Sequence, residues 1–253
     1  MNRDSPSLPL HEGPEWPRVR IFSTTRHGGV SRAPYAWLNL GAHVGDAPEA
    51  VAENRARLQT LLPSAPLWLE QVHGVRVVDA DRERYPGPAD AAVTRTPGKV
   101  LAIMTADCLP VVIVAGEAGV LAVAHAGWRG LAAGVLENAV AAMGGVRGSQ
   151  VRAWIGPGIG PRAFEVGDEV RAAFSARDAS AQDAFVPTGT FDDAGKPKWL
   201  ADLPALAERR LRAAGVETVV HSGVCTVAHN DRFYSYRKEG TTGRFATLAW
   251  LTD

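Results

Sequence analysis

The 253-residue sequence predicts an α+β (mixed α/β) fold, with mixed β-sheets layered against helices in one domain. Three observations carry that expectation. Short apolar runs of strand length come in neighbouring pairs, some joined by glycine-bearing turns. Segments with apolar residues at helical spacing lie among them. No internal repeat, heptad or low-complexity tract is visible, and no linker divides the chain.

Taken in order, residues 1–18 read as a loose lead-in and 19–253 as the single domain. Val19 to Thr25 suits a strand that ends in the loop Arg26-His27-Gly28-Gly29, and 31–48 is irregular. A helix is expected over 48–62, where Val51, Arg55, Leu58 and Leu62 recur at helical spacing before Pro63 and Pro66 stop it. Short strands are expected at 66–69 and 75–78, on either side of Gln71-Val72-His73-Gly74, then at 100–106, 110–115 and 119–125. The last two flank Gly116-Glu117-Ala118-Gly119, a hairpin turn. A helix over 129–143 would place Leu131, Val135, Leu136, Ala139, Val140 and Met143 on one face. A strand at 151–155 is broken by Gly156-Pro157-Gly158-Ile159-Gly160-Pro161. Helices follow at 166–176 and 200–214, with strands at 216–221 and 244–251. The polar stretch 177–198 reads as a surface loop.

Composition narrows the function classes. With 27 basic and 27 acidic residues the formal charge is zero, which argues against bulk electrostatic binding to nucleic acid or an anionic membrane. Two cysteines cannot build a disulfide framework, the N-terminal stretch does not resemble a secretory signal, and no apolar run approaches the roughly 20 residues of a membrane span. A cytoplasmic location with free thiols is expected.

If the hairpin turn is centred near Glu117 and Ala118, Cys108 and His125 lie at the same open end. His125 then leads through Ala-Gly-Trp-Arg-Gly into a helix whose N-terminus, with Arg129, could attract an anion. Spacing alone leaves two readings open, a packed thiol beside a structural imidazole or a metal or catalytic pair, because no C-x-x-C or H-x-x-x-H pattern is present. Gly156 to Pro161 does not match a dinucleotide fingerprint, since its third glycine is misplaced and its prolines remove N–H groups. Cys225 and His229, four apart, lack a further ligand in view, which favours a structural or pocket-edge role.

The blocks Gln71-Val72-His73-Gly74, Thr105-Ala106-Asp107-Cys108-Leu109-Pro110 and His125-Ala-Gly-Trp-Arg-Gly130 resemble three signatures of one family. Thr24 to Ser31, Leu38 to Gly41, His43 to Asp46, Ile155-Gly156-Pro157, Phe164 to Gly167, Phe233 to Arg237 and Thr242-Gly243-Arg244 extend the match almost end to end. The family is the YfiH-like or laccase-domain group, named for multicopper polyphenol oxidases and later for purine nucleoside phosphorylases. By that resemblance His73, Cys108 and His125 match zinc ligands, and such a set leaves a fourth tetrahedral position open. Ala163 departs from the pattern, where many relatives carry other residues before Phe164-Glu165.

The resemblance implies phosphorolysis of adenosine, inosine, guanosine or methylthioadenosine, deamination of adenosine, and purine nucleoside and phosphate as partners. Arg129 is the first candidate for a phosphate clamp, with Arg26 and Arg244 behind it. An ordinary ion pair remains the competing role for each. Asp107, Glu70 and Glu165 are candidates for proton transfer, and Asn39, Glu165 and Arg237 join Arg26 and Arg244 as substrate-binding candidates. The usual zinc deaminase signature, H-x-E followed by P-C-x-x-C, is absent. Seven histidines with no His-x-His pair argue against a multicopper centre, although one His2Cys site could take copper adventitiously. A different class of reading makes Cys108 a nucleophile and His125 its base in an amide hydrolase, as in relatives described as editing UDP-linked peptidoglycan precursors. A non-enzymatic binding role ranks last. The native metal, preferred nucleoside and oligomeric state (monomer or homodimer) stay open.

Overall fold

The computed structural model describes residues 8–83, 87–146 and 151–253. Its first sheet is built from β1 (Leu10–Glu12), β2 (Val19–Thr24), β3 (Leu67–Trp68), β6 (Leu101–Thr105) and β14 (Phe245–Leu251) in the order β1-β2-β14-β6-β3. Its neighbours are antiparallel except β3 and β6. The second sheet runs β13-β9-β7-β8-β5-β4, from β4 (Val77–Asp79), β5 (Ala91–Thr94), β7 (Leu109–Ala115), β8 (Val120–Ala126), β9 (Arg152–Ile155) and β13 (Thr218–His221). Its outer pairs, β13 with β9 and β4 with β5, are parallel, and the rest is antiparallel. The mixed α/β class is thus what the chain adopts.

Strand alternation explains the layering. On β7, Val112 and Val114 face the first sheet, while Val111 and Ile113 face helices. Every residue of β7 is buried, which is why the strand reads as an unbroken apolar run. Between the sheets, Ile21, Leu101, Ile103 and Ala249 meet Val112, Leu121, Val123 and Trp154. The far side of the second sheet is covered by α2 (Trp128–Ala133), α3 (Val135–Ala142), α4 (Asp168–Ser175) and α5 (Leu203–Ala213). The far side of the first is covered by α1 (Pro48–Gln59) through Leu58, together with Leu38 and Leu40. The result is four layers, helix, sheet, sheet, helices.

The hairpin of β7 and β8 has the expected turn, with Gly119 at φ +63° and Pro110 opposite His125. Several expectations are corrected. Leu10–Glu12 of the lead-in is β1, paired with β2. The helix expected over 129–143 is two, because Gly134 at φ +109° ends α2 and starts α3. Part of the expected loop 177–198 is ordered into a 3-10 helix (Ala179–Ala184) and a hairpin of β11 (Phe185–Phe191) and β12 (Pro197–Ala201). With β10 (Glu165–Gly167) these form a third sheet, β10-β12-β11. β11 is largely exposed and so lacks the apolar alternation that betrays a half-buried strand. No helix among the described residues is long and apolar enough to cross a membrane.

Candidate functional site

His125 has the same parity on β8 as Leu121 and Val123, so it occupies the mouth of the gap between the two sheets. Cys108 lies in the short connection where the chain leaves β6 and enters β7. His73 sits in the loop between β3 and β4. Gln71 fixes that loop to the end of β6. Its amide donates to the Met104 carbonyl and its oxygen accepts from the Met104 N–H, both at 2.8 Å. Ligand atoms of His73, Cys108 and His125 lie within 4.8 Å of one another.

Two glycines in the His125-to-Gly130 block permit this approach. A Cβ on Gly127 would stand 2.6 Å from His73 Cδ2 and 3.0 Å from Cys108 Sγ. A Cβ on Gly130 would stand 2.8 Å from the Gly74 carbonyl oxygen. The block is therefore a packing device that lets the start of α2 touch the His73 loop.

Asp90, just before β5, was not singled out in the sequence, yet it is fully buried beneath the site. It accepts hydrogen bonds from the main-chain N–H groups of Val72 (3.2 Å), His73 (2.8 Å) and Gly74 (2.6 Å), and pairs with His125 Nδ1 at 2.8 Å. Its signal in the sequence is a lone carboxylate inside the small apolar run 89–93. Burial works against its charge, but the His125 and main-chain hydrogen bonds prevail and hold its carboxyl below the usual range. Burial likewise opposes the Cys108 thiolate, and the His125 charge with hydrogen bonds from both imidazoles outweighs it, bringing the thiol down to about 6. Despite burial, the Cys108 charge and Asp90 raise His125 to about 9.

The donor set suits a metal. A thiolate and an imidazole on a tetrahedral zinc stand about 3.6 Å apart, and Cys108 Sγ lies 3.7 Å from His73 Nε2. Among the described residues this is the one such cluster of His, Cys and acidic side chains, so they offer no second ligand set for a multicopper centre. Cys225 instead accepts from the Gly160 N–H at 3.2 Å, a structural role consistent with the sequence reading.

A cavity of about 260 Å³ opens beside the three residues. Arg244, His43 and Tyr236 also line it. Arg244 Nη1 donates to the carbonyls of Thr242 (3.1 Å) and Gly243 (3.0 Å). Burial and the Arg244 and Arg55 charges lower the His43 pKa. His43 and Tyr236 lie in quoted blocks but drew no role from sequence, since neither has a diagnostic spacing.

The other sequence candidates are placed elsewhere. Arg129 is exposed and stacks on Trp128 at 4.5 Å, and α2 is too short to present a helix N-terminal anion site. Arg26 is committed to the carbonyls of Ala36 and Asn230 and to Glu239. Both Asp107 oxygens are taken, by Thr226 Oγ1 and the Arg237 N–H, each at 2.6 Å. Asn39 is fully buried and accepts from the main-chain N–H groups of Gly41 and Arg244, so it positions Arg244. Arg237 donates to the Glu165 carbonyl, and the Glu165 carboxylate pairs with Lys198. Glu70 is exposed beside a bridge to Pro88. None of these seven lines the cavity.

Comparison with known proteins agrees with this architecture. Residues 20–252 match the family described as multi-copper polyphenol oxidoreductase laccase. A Pseudomonas aeruginosa protein named purine nucleoside phosphorylase is 54% identical over 243 residues, covering 95% of this chain and 98% of its own. An Escherichia coli protein named purine nucleoside phosphorylase YfiH is 50% identical over 244 residues, covering 94% and 97%. Among solved structures, a Neisseria meningitidis protein superposes with a TM-score of 0.87 at 45% identity, covering 97% of this chain and 99% of its own. Bacillus licheniformis YfiH superposes with a TM-score of 0.88 at 26% identity, covering 98% of each. With its fold and nearly its whole length shared with these proteins, the chain belongs to the laccase-like, YfiH-type family.

Proposed function

We propose that the chain is a zinc-dependent purine nucleoside phosphorylase, with His73, Cys108 and His125 as metal ligands and deamination of adenosine as a second activity. The observation that carries this is the convergence of two imidazoles and a thiol on a cavity that Arg244 also lines. The names of the relatives support the reaction class. Zinc held there would supply a Lewis acid at the cavity wall.

In phosphorolysis a phosphate oxygen bonds to C1′ of the ribose as the C1′–N bond breaks. The electron pair leaves with the purine, which takes up a proton. The chain's part is to hold phosphate against C1′. Arg244 suits this better than Arg129 or Arg26. Two carbonyls fix its guanidinium through Nη1, and it lines the cavity. His43, kept neutral by burial and its arginine neighbours, adds a polar contact without a competing charge.

The test is zinc-loaded protein incubated with adenosine, with and without phosphate, and products separated by chromatography beside a Cys108→Ala control. Phosphate-dependent adenine, or inosine in either buffer, lost in the variant, is the expected result. Absence of turnover with zinc bound refutes the reading. Arg244→Gln should raise the KM for phosphate by about tenfold or more.

Asp90 also favours a second reading. Cys108, His125 and Asp90 form a nucleophile, a base and an orienting acid, the arrangement of a cysteine hydrolase. Hydrolysis of a UDP-linked muropeptide amide that survives a chelator would favour it over the metal enzyme.

A further inference from the structure

We infer that Asp90 is the positioning residue of the metal triad, one buried carboxylate that sets both histidines at once. The inference rests on the metal-ligand reading of the proposed function and adds a residue to it.

Two features of the geometry support it. The first is main-chain shape. His73 has φ +60°, a left-handed conformation that disfavours a residue bearing a Cβ. Around such a residue, successive N–H groups turn inward and form a concave anion site. Here the N–H groups of Val72, His73 and Gly74 all donate to Asp90, at 3.2, 2.8 and 2.6 Å. The carboxylate thus compensates the conformation that carries the His73 ring towards Cys108. Gly74 completes the fit, since a Cβ there would stand 3.3 Å from Asp90 Oδ2.

The second is side-chain orientation. Asp90 Oδ1 lies 2.8 Å from His125 Nδ1, which keeps a proton on Nδ1 and leaves Nε2 as the nitrogen that would meet a metal. The same Oδ1 accepts from the His73 N–H, so one atom joins the two histidines. Among the described residues, the four donors to the side chain of the fully buried Asp90 come from the two ligand-bearing segments alone. None of these bonds reaches Cys108 or any cavity-lining residue other than the two histidines, so its effect passes through them.

An asparagine at 90 keeps the shape but offers one acceptor oxygen and an amide that meets N–H donors head-on. Zinc affinity of Asp90→Asn, measured by chelator competition well below its unfolding midpoint, should fall about tenfold to a hundredfold. An unchanged zinc affinity, whatever the midpoint, overturns the inference, because a merely structural carboxylate would lower the midpoint alone. If the variant does not fold, the wild type still decides. Histidine 15N spectra of the zinc-loaded protein should show His125 protonated at Nδ1 with zinc on Nε2. The reverse assignment, or a wild type that binds no zinc, overturns it. Adenosine turnover by the wild type is scored separately. An inert wild type with the Asp90→Asn loss of zinc removes the phosphorylase reading and leaves Asp90 in place.

Discussion

Substituting Gly127 by alanine should separate metal binding from folding. The main chain at Gly127 has φ −67° and ψ 155°, extended values that alanine adopts freely. Replacing glycine at a compatible position gains about 0.4–1 kcal/mol by restricting the unfolded chain, and the loss of a glycine N-cap offsets part of that. The new methyl carbon, however, would begin 2.6 Å from His73 Cδ2. Non-bonded carbons settle about 3.5 Å apart, so the imidazole has to retreat by about 0.9 Å. His73 is exposed and its ring can swing aside, which keeps the cost to the fold small. A metal site tolerates ligand displacements of only about 0.2 Å. Metal-free Gly127→Ala should therefore match the wild type in urea unfolding to within about 1 kcal/mol. Its zinc affinity, read by chelator competition, should fall by about a hundredfold, equivalent to about 2.7 kcal/mol. Wild-type affinity in this variant would falsify the argument, because the glycine would then not be what lets His73 and Cys108 meet.

Two further outcomes concern stability. Asn54 is fully buried in α1, donates to Ser31 Oγ and the carbonyls of Trp37 and Asn39, and accepts from the Val30 N–H. Asn54→Ala should cost about 3 kcal/mol in urea unfolding, and a loss under about 1 kcal/mol would contradict its role as the clasp of the 30–39 loop. Asp81 is lowered from 3.8 to about 2. Partial burial opposes the shift, and hydrogen bonds from Thr94, the Arg95 N–H, Thr96 and Lys99 produce it. A carboxyl lowered on folding contributes stability above its unfolded pKa and loses it as pH falls through the folded one. Asp81→Asn should thus cost about 1 kcal/mol at pH 7, after discounting for solvent screening, and only a small part of that near pH 2. An equal cost at both pH values would show that shape rather than charge matters there.

The parts of this fold legible in the sequence are those whose burial writes a period into it. β7 and β8 announce themselves by apolar runs around a glycine turn, and so the shared open end of Cys108 and His125 follows from spacing alone. β5 does not, because Ala91, Ala92, Val93 and Thr94 are buried on both faces and form a short run of small residues. Gly134 sits inside a helical pattern and looks tolerable there, but its left-handed backbone splits the helix. At the site, His73, Cys108 and His125 were identified by resemblance and the structure brings them together. Arginine roles were harder to foresee, since charge alone does not tell Arg26, tied into carbonyls, from Arg244, which lines the cavity. Asp90 is not legible because three of its four partners are main-chain amides, which leave no trace in residue identity.

The outer strands of the two large sheets, β1, β3, β4 and β13, have only two to four residues each. Such stubs offer too few unpaired amides to template a neighbouring chain. The third sheet is different. There β11 is a seven-residue border with Val186 and Phe191 exposed, the composition of an adhesive edge. Its guard is Pro187, which has no N–H to donate, followed by a register shift before Phe191. One imino acid and one irregularity thus oppose self-association along that border.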